Sequence, residues 1–497
     1  MARVFLRVRI IGLCALAGML IIPGYTQTKP SAHALGNLDD VLLRWPLPPG
    51  QERYGAIDGK HLHGYVVEQA AISRRYRDQG HPKFWGRIIG TSGDAESAEW
   101  LAEKFRRIGL SEVHIQPFDL VPQWMPQSWD VSISSGGKTI HLDSAQPDYG
   151  SAGTPKEGLD LQAVYAGLGS EADFAGKDVR GKAVFTFTML GLKPEGAAKR
   201  ADSKGAAAIF EVDMLPGNMR YQAYPAGTRA PAFTVGSDDG FAARDLMAAA
   251  GQPPHVKVRL DVARIPNLKT ALVWGTLPGA TDETIYVVAH RDGWFEAAGD
   301  NAGGVASMLG LAEYYAKIPQ SQRRRTLIFI GLDGHHNTGE GSGVGRNWLA
   351  SNKDKLFQKT ALMINCEHPA TLQTYVRPRY QEQRDIVWSN TALAQQWYAG
   401  GPSRPELQAI TTNAFREFGA PLYLDPNTQP PPGDLGQFWR FLPGVASSEF
   451  YDYFHTDRET PEVVPWTGLE SSTRAYAKII DEVNKLPLSA MQRPPEK

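Results

Sequence analysis

Histidines and carboxylates gather at four places in the last two-fifths of this chain. His290 and Asp292 close one apolar run, and Asp300 stands ten positions after His290. Asp333, His335 and His336 close a second run, Glu367 and His368 a third, and His455 lies in a polar loop with Asp457 and Glu459. Five of the chain's twelve histidines are in these places. Imidazole nitrogen with carboxylate oxygen is the donor set of zinc. Each residue alone has a plain structural explanation: a hydrogen-bonded loop histidine, an N-cap at Asp300, a solvated glutamate at 367. Their recurrence at successive strand ends points instead to a metal site, because open α/β sheets build sites just past the carboxyl ends of their strands.

The elements that must position these groups are legible. Residues 285–289, 327–332 and 361–365 are continuous apolar runs, as expected of strands buried on both faces of a mostly parallel sheet. Between the first two, Val305, Met308, Leu309, Ala312 and Tyr315 recur at helical spacing over residues 301–318. Strands alternating with such helices predict an α/β fold with a doubly wound sheet. Upstream, 64–79 and 94–108 read as helices, the second with Asp94 as N-cap and Gly109 as C-cap. Residues 113–118 and 129–133 read as strands. From 149 to 265 short β-rich runs such as 183–187 and 207–211 flank one helical piece at 196–204, which predicts a β-rich insert. The proline-rich stretch 426–433 reads as a loop.

Composition bounds the rest. With 497 residues and 42% hydrophobic content the chain has ample material for a core and more than one domain. Its 52 basic against 53 acidic residues argue against nucleic acid as a partner, which would demand a basic surplus. Arg3, Arg7 and Arg9 precede the apolar run 10–22, and Ala32-His33-Ala34 offers a cleavage site, so residues 1–34 read as a signal peptide and the mature chain as exported. That run is shorter than the about 20 residues of a membrane span, so no transmembrane segment is expected in the mature form. Cleavage there would leave Cys366 alone, with no internal disulfide.

Val288-Ala-His-Arg-Asp-Gly-Trp followed by Gly299-Asp300-Asn-Ala-Gly-Gly resembles the first metal motif of the co-catalytic zinc exopeptidases, which include glutamate carboxypeptidase II and bacterial leucyl aminopeptidases. His455-Thr-Asp-Arg-Glu-Thr resembles the last ligand motif, and Gly86-Arg87 through Gly90-Thr91 the N-terminal opening. The insert, with Asp178-Val-Arg-Gly-Lys-Ala-Val, is similar to the protease-associated domain that interrupts many members. The resemblance implies a signal peptide (1–34), a catalytic domain split between 35–148 and 266–490, and a protease-associated insert at 149–265. It implies one zinc held by His290, Asp300 and Glu367, and a second sharing Asp300 with His455 and a further ligand. Asp292 would orient the His290 ring.

The family carries two adjacent glutamates after its second strand, a general base and a ligand; gap-free alignment puts His335 and His336 there. Imidazole can do both tasks, so His335 is expected as base and His336 as ligand, with Glu340 as a substitute base if its loop folds inward. Losing a ligand carboxylate should weaken the second zinc, so one or two ions are expected. The function implied is hydrolysis of peptide or related amide bonds. A catalytically inactive binding protein on the same fold, and an amidohydrolase acting on a non-peptide amide, are the alternatives. Arg377, Arg379 and Arg384 could grip a terminal carboxylate, or be surface arginines.

Overall fold

The computed structural model describes residues 44–492 except 189–195, 214, 216, 250, 338–342, 373, 379–383, 389–395, 400–404, 421–430, 432, 448–450 and 452, with backbone alone for the strands within 374–399. The signal-peptide reading, Glu340 and the three arginine side chains fall outside what is described. No helix among the described residues is long and apolar enough to cross a membrane.

Seven strands form the central sheet: β1 (Ser111–Asp119), β2 (Lys269–Leu277), β3 (Thr284–His290), β4 (Thr326–Leu332), β5 (Thr360–Cys366), β6 (Gln396–Ala399) and β7 (Gly444–Ser447). Their order is β6-β7-β5-β3-β4-β2-β1. The four inner strands β7, β5, β3 and β4 are parallel; β2, β1 and β6 add antiparallel edges. The sheet is thus mixed where a mostly parallel one was expected. Edge strands keep one side in water, and β1 shows this as alternating exposed and half-buried positions.

Period-two alternation sorts the apolar runs between two cores. Ile285, Val287, Leu327, Phe329, Leu362 and Ile364 face one side, against α1 (Gly59–Asp78), α2 (Ser92–Ile108), α3 (Gly304–Ala316) and α4 (Trp466–Val483). Tyr286, Val288, Ile330, Leu332 and Met363 face the other, with Leu349, Phe357 and Phe438. The α2 cap differs from expectation. Thr91, not Asp94, is the N-cap and accepts the Asp94 N–H, while Gly109 ends the helix in the left-handed region at φ 93°. Asp94 is buried in the first turn because it pairs with Arg291, whose Nη1 lies 2.5 Å from its Oδ1.

A second, eight-stranded sheet runs from Gln123 to Ile265, with Lys138–His141 and Gln123–Ser135 at one edge. It therefore draws on chain well before residue 149. The reason is the long pairing of Gln123–Ser135 with His255–Ile265, which brackets the insert at its root. Its core continues into Trp294 and Phe295, just beyond β3.

That junction is held by a buried arginine. Gly86–Arg87 pairs with Gly293–Trp294. The Arg87 guanidinium donates to the carbonyls of Arg291 (2.9 Å), Glu296 (2.8 Å) and Ala297 (3.0 Å) and to Ser73 Oγ (3.0 Å). Burial lowers its pKa to about 10, so it stays charged at neutral pH. Arg87→Met keeps the stem but orphans three buried carbonyls, each costing about 1–3 kcal/mol. Urea unfolding of the variant should show a loss of about 3 kcal/mol or more.

Candidate metal centre

Every expected site residue lies at or just beyond the carboxyl end of an inner strand. His290 ends β3, His335 and His336 follow β4, His368 follows β5, and His455 follows β7. Asp300 sits in the turn before α3, not as its N-cap, and the Asp300–Asn301 peptide is cis. Asn301 locks this turn to β5, donating to the Cys366 carbonyl (2.9 Å) and accepting from Gly304 N–H (3.1 Å). A Cβ on Gly304 would collide with both partners, so the close approach demands glycine.

The Asp300 carboxylate is the hub. Its Oδ1 lies 2.9 Å from His290 Nε2 and 2.8 Å from His368 Nε2. Its Oδ2 lies 2.9 Å from both His336 Nε2 and His455 Nε2. Two trios of metal-competent donors therefore meet on one carboxylate, each spanning no more than 4.8 Å.

The tautomers suit ligands. His290 Nδ1 faces the Asp292 carbonyl at 3.2 Å, and His336 Nδ1 faces Asp292 Oδ2 at 3.1 Å. Both partners only accept, so each Nδ1 carries hydrogen and Nε2 is the nitrogen turned toward Asp300, the one that a metal would take in exchange for a proton. His290 Nε2 and Asp300 Oδ1 are buried 2.9 Å apart, yet neither makes a hydrogen bond. Tetrahedral zinc with bonds of about 2.0–2.2 Å spaces its donors roughly 3.3 Å apart. Each trio reaches that by about half an ångström of expansion, so the residues fit the ion.

Charge points the same way. Burial disfavours imidazolium, but Asp292 and Asp300 outweigh it, raising His290 well above its ordinary value and His336 to about 9. Burial pushes His455 down to about 3, and the His336 cation adds to the effect. Those two rings stand 3.2 Å apart on the same oxygen, so only one proton fits. The imidazoliums overcome burial to hold Asp300 well below the carboxylate range. The metal-free site thus gathers protons where cations would sit.

Around the hub, Glu459 accepts the backbone N–H of Asp300 (2.7 Å) and of His455 (2.9 Å); burial and the Asp300 charge raise its pKa to about 7. Asp292 accepts the N–H of His335 and His336, each at 3.0 Å. Asp292 thus holds His336 through its carboxylate and meets His290 Nδ1 through its carbonyl, with its Oδ1 3.6 Å from the same nitrogen. His368 and His455 both have left-handed backbones, φ 43° and 61°, a strain of about 1–3 kcal/mol each for non-glycine residues.

Glu367 does not touch Asp300, where the left-handed turn at His368 brings that ring instead; with His290 and His335 it forms a further group of metal-competent donors within 4.8 Å of one another. Glu367 Oε2 accepts from Asn365 Nδ2 (2.5 Å) and Asp434 N–H (3.1 Å), and its Oε1 lies 3.7 Å from His335 Nε2. The second sheet closes the far side. Gln222 N–H donates to the His455 carbonyl at 2.9 Å, and the Tyr224 ring meets His455 edge-on at 4.9 Å. A cavity of about 640 Å³ lined by Tyr221, Tyr224, Asp148, Glu211 and Lys199 opens beside them. Glu459 is marked in the sequence only by its place in the His455 motif, with no role attached, and Tyr224 carries no signal that singles it out.

Residues 273–480, which contain every expected site residue, match Peptidase family M28. No curated protein sequence matches the chain. Among the solved structures that share the fold are three of particular likeness in length. BSAP, a zinc aminopeptidase from Bacillus subtilis, aligns with TM-score 0.60 at 19% identity, covering 91% of this chain and 100% of that one. A peptidase M28 precursor from Shewanella amazonensis SB2B aligns with TM-score 0.65 at 18% identity, covering 88% and 98%. An aminopeptidase from Aneurinibacillus sp. strain AM-1 gives 0.56 at 18%, covering 90% and 97%.

Zinc stoichiometry tests the geometry. By elemental mass spectrometry, Asp300→Ala should lose all zinc held by the two trios that meet on it, while His368→Ala and His336→Ala should each lose one trio's ion. Asp333 gives a pH test. Burial and the nearby Asp292 charge, against the pull of Arg291, raise its pKa from 3.8 to about 7. Between those values the folded chain holds a proton that the unfolded chain does not, so stability falls as pH rises through that window. Asp333→Asn should abolish that loss, gaining about 2–4 kcal/mol over wild type at pH 8 and nothing at pH 4 in urea titrations.

Proposed function

We propose that this chain, with its peptidase family M28 domain at residues 273–480, is an exported zinc-dependent hydrolase of peptide or related amide bonds with exopeptidase-like action. The observation that carries the reading is the two pairs of imidazoles on opposite oxygens of Asp300, with a fifth histidine beside them. Zinc bound there supplies water activation and polarisation of the scissile carbonyl.

His335 is the proton acceptor in this reading. Its side chain is 14% exposed, against 0% for His290, 1% for His336 and His455 and 3% for His368, so it stands at the mouth of the site. Its ring stacks on His290 with centroids 4.2 Å apart and planes 11° apart. It is therefore adjacent to the ligands without contributing to either trio on Asp300. An imidazole near neutral pH is suited to take a proton from attacking water and return it to the departing amine. The insert residues Tyr221 and Tyr224 line the cavity beside His455, where the substrate portion flanking the scissile bond would lie. Export rests on the N-terminal leader: three arginines, a short apolar run and an Ala-x-Ala site.

The test is a turnover screen of the zinc-loaded protein on dipeptides, aminoacyl anilides and N-acyl amino acids. Turnover of at least one class is expected, and His335→Gln should lower kcat by about 10²–10⁴ with zinc content unchanged. A fully loaded wild type that turns over nothing would leave a binding protein on this fold.

A further inference from the structure

Asp434 lies outside both metal trios and touches the base. It is fully buried, immediately after Gly433. Its Oδ1 lies 3.0 Å from His335 Nδ1 and also accepts from Arg346 Nη1. The Arg346 guanidinium and the His335 ring together hold its carboxyl below the usual carboxylate range, despite burial. Its N–H donates to Glu367 Oε2. Gly433, at φ 80°, makes this wrap possible, because a Cβ there would strike the Glu367 carboxylate.

These contacts leave His335 little freedom. Its N–H is tied to Asp292, its ring face rests on His290, and Nδ1 meets a carboxylate. An ionised carboxylate only accepts, so Nδ1 must carry the hydrogen, and the lone pair of the neutral ring falls on Nε2. That nitrogen is the one on the Glu367 side, 3.7 Å from Oε1.

Resting on the reading of His335 as base, we propose that Asp434 is its positioning residue: it fixes the His335 tautomer and ring orientation and steadies the imidazolium formed during turnover. The protons balance. As water oxygen bonds to the scissile carbon, one water hydrogen passes to Nε2; as the carbon–nitrogen bond breaks, that hydrogen passes to the departing amine nitrogen. Asp434 stays ionised throughout, and Nδ1 never gives up its hydrogen. A carboxylate in this role is worth a large factor in rate, because without it the ring can present the protonated nitrogen to the substrate.

The experiment is a double-mutant cycle on zinc-loaded protein: wild type, Asp434→Asn, His335→Gln and the pair, with zinc content measured for each. Asp434→Asn should lower kcat by about 10²–10⁴, leave KM within about threefold and zinc unchanged, and lower kcat less than about twofold further in the His335→Gln background. In parallel, ¹⁵N-histidine spectra of the zinc-loaded wild type, with His335 assigned from the His335→Gln spectrum, should show hydrogen on Nδ1 and none on Nε2. Equal losses from Asp434→Asn in both backgrounds would make the aspartate merely structural and overturn the proposal, as would hydrogen on Nε2 in the wild type. If Asp434→Asn does not fold, the wild-type spectrum decides. Full kcat in His335→Gln would instead fell the base reading, and this proposal with it.

Discussion

One buried carboxylate sets the terms for the rest of this structure. Asp300 presents each oxygen to two imidazoles, and an ionised group so deep is tolerable only when surrounded by positive charge and hydrogen-bond donors. Most of the unusual local features serve that end. Asn301 and Gly304 seat the turn against β5, Glu459 takes the Asp300 N–H, and Arg87 ties the loop after β3 to the helical layer. Asp292 holds the backbone from which His336 reaches in. Two left-handed residues complete the circle at a cost in strain.

The balance of charge around the hub is distinctive. Direct contacts to Asp300 come from four neutral-capable rings, and the remaining carboxylates, Asp292, Glu459, Glu367 and Asp434, stand one layer out. An outer carboxylate stabilises cations less than one in contact, since Coulombic attraction falls with distance. It compensates by fixing tautomers, which a ring ligand needs and a carboxylate ligand does not. With histidines forming the inner layer, that work falls to the outer one, where Asp292, Glu459, Glu367 and Asp434 stand.

Much of this was legible in the sequence. Continuous apolar runs marked three of the four inner strands, β7 being too short to stand out, helical spacing marked α2 and α3, and histidines and acids at strand ends marked the site. What escaped depended on backbone direction. Glu367 and His368 are adjacent, and only a left-handed turn, invisible in residue types, decides which faces Asp300. Asp434 follows a proline-rich loop with no chemical signature, and its role exists only because Gly433 lets the chain fold over Glu367. Asp94 looked like a cap because its partner, Arg291, is nearly two hundred positions away. The second sheet reaches back to Gln123, before the change in composition at 149, since Gln123–Ser135 pairs along its length with the distant His255–Ile265.

The closure of the site by the second sheet bears on how the chain folds. Residues 220–222 bond to 455–457 through Gln222 to His455, Arg220 to Asp457 and a bridge between Tyr221 and Thr456. Those contacts join segments well over two hundred positions apart, a closure whose entropic cost grows with the length of chain it spans. The seat of the last histidine of the trios is therefore a property of the whole tertiary structure and not of its own loop, so a change in the 220–222 segment would reach the metal centre through the backbone at His455.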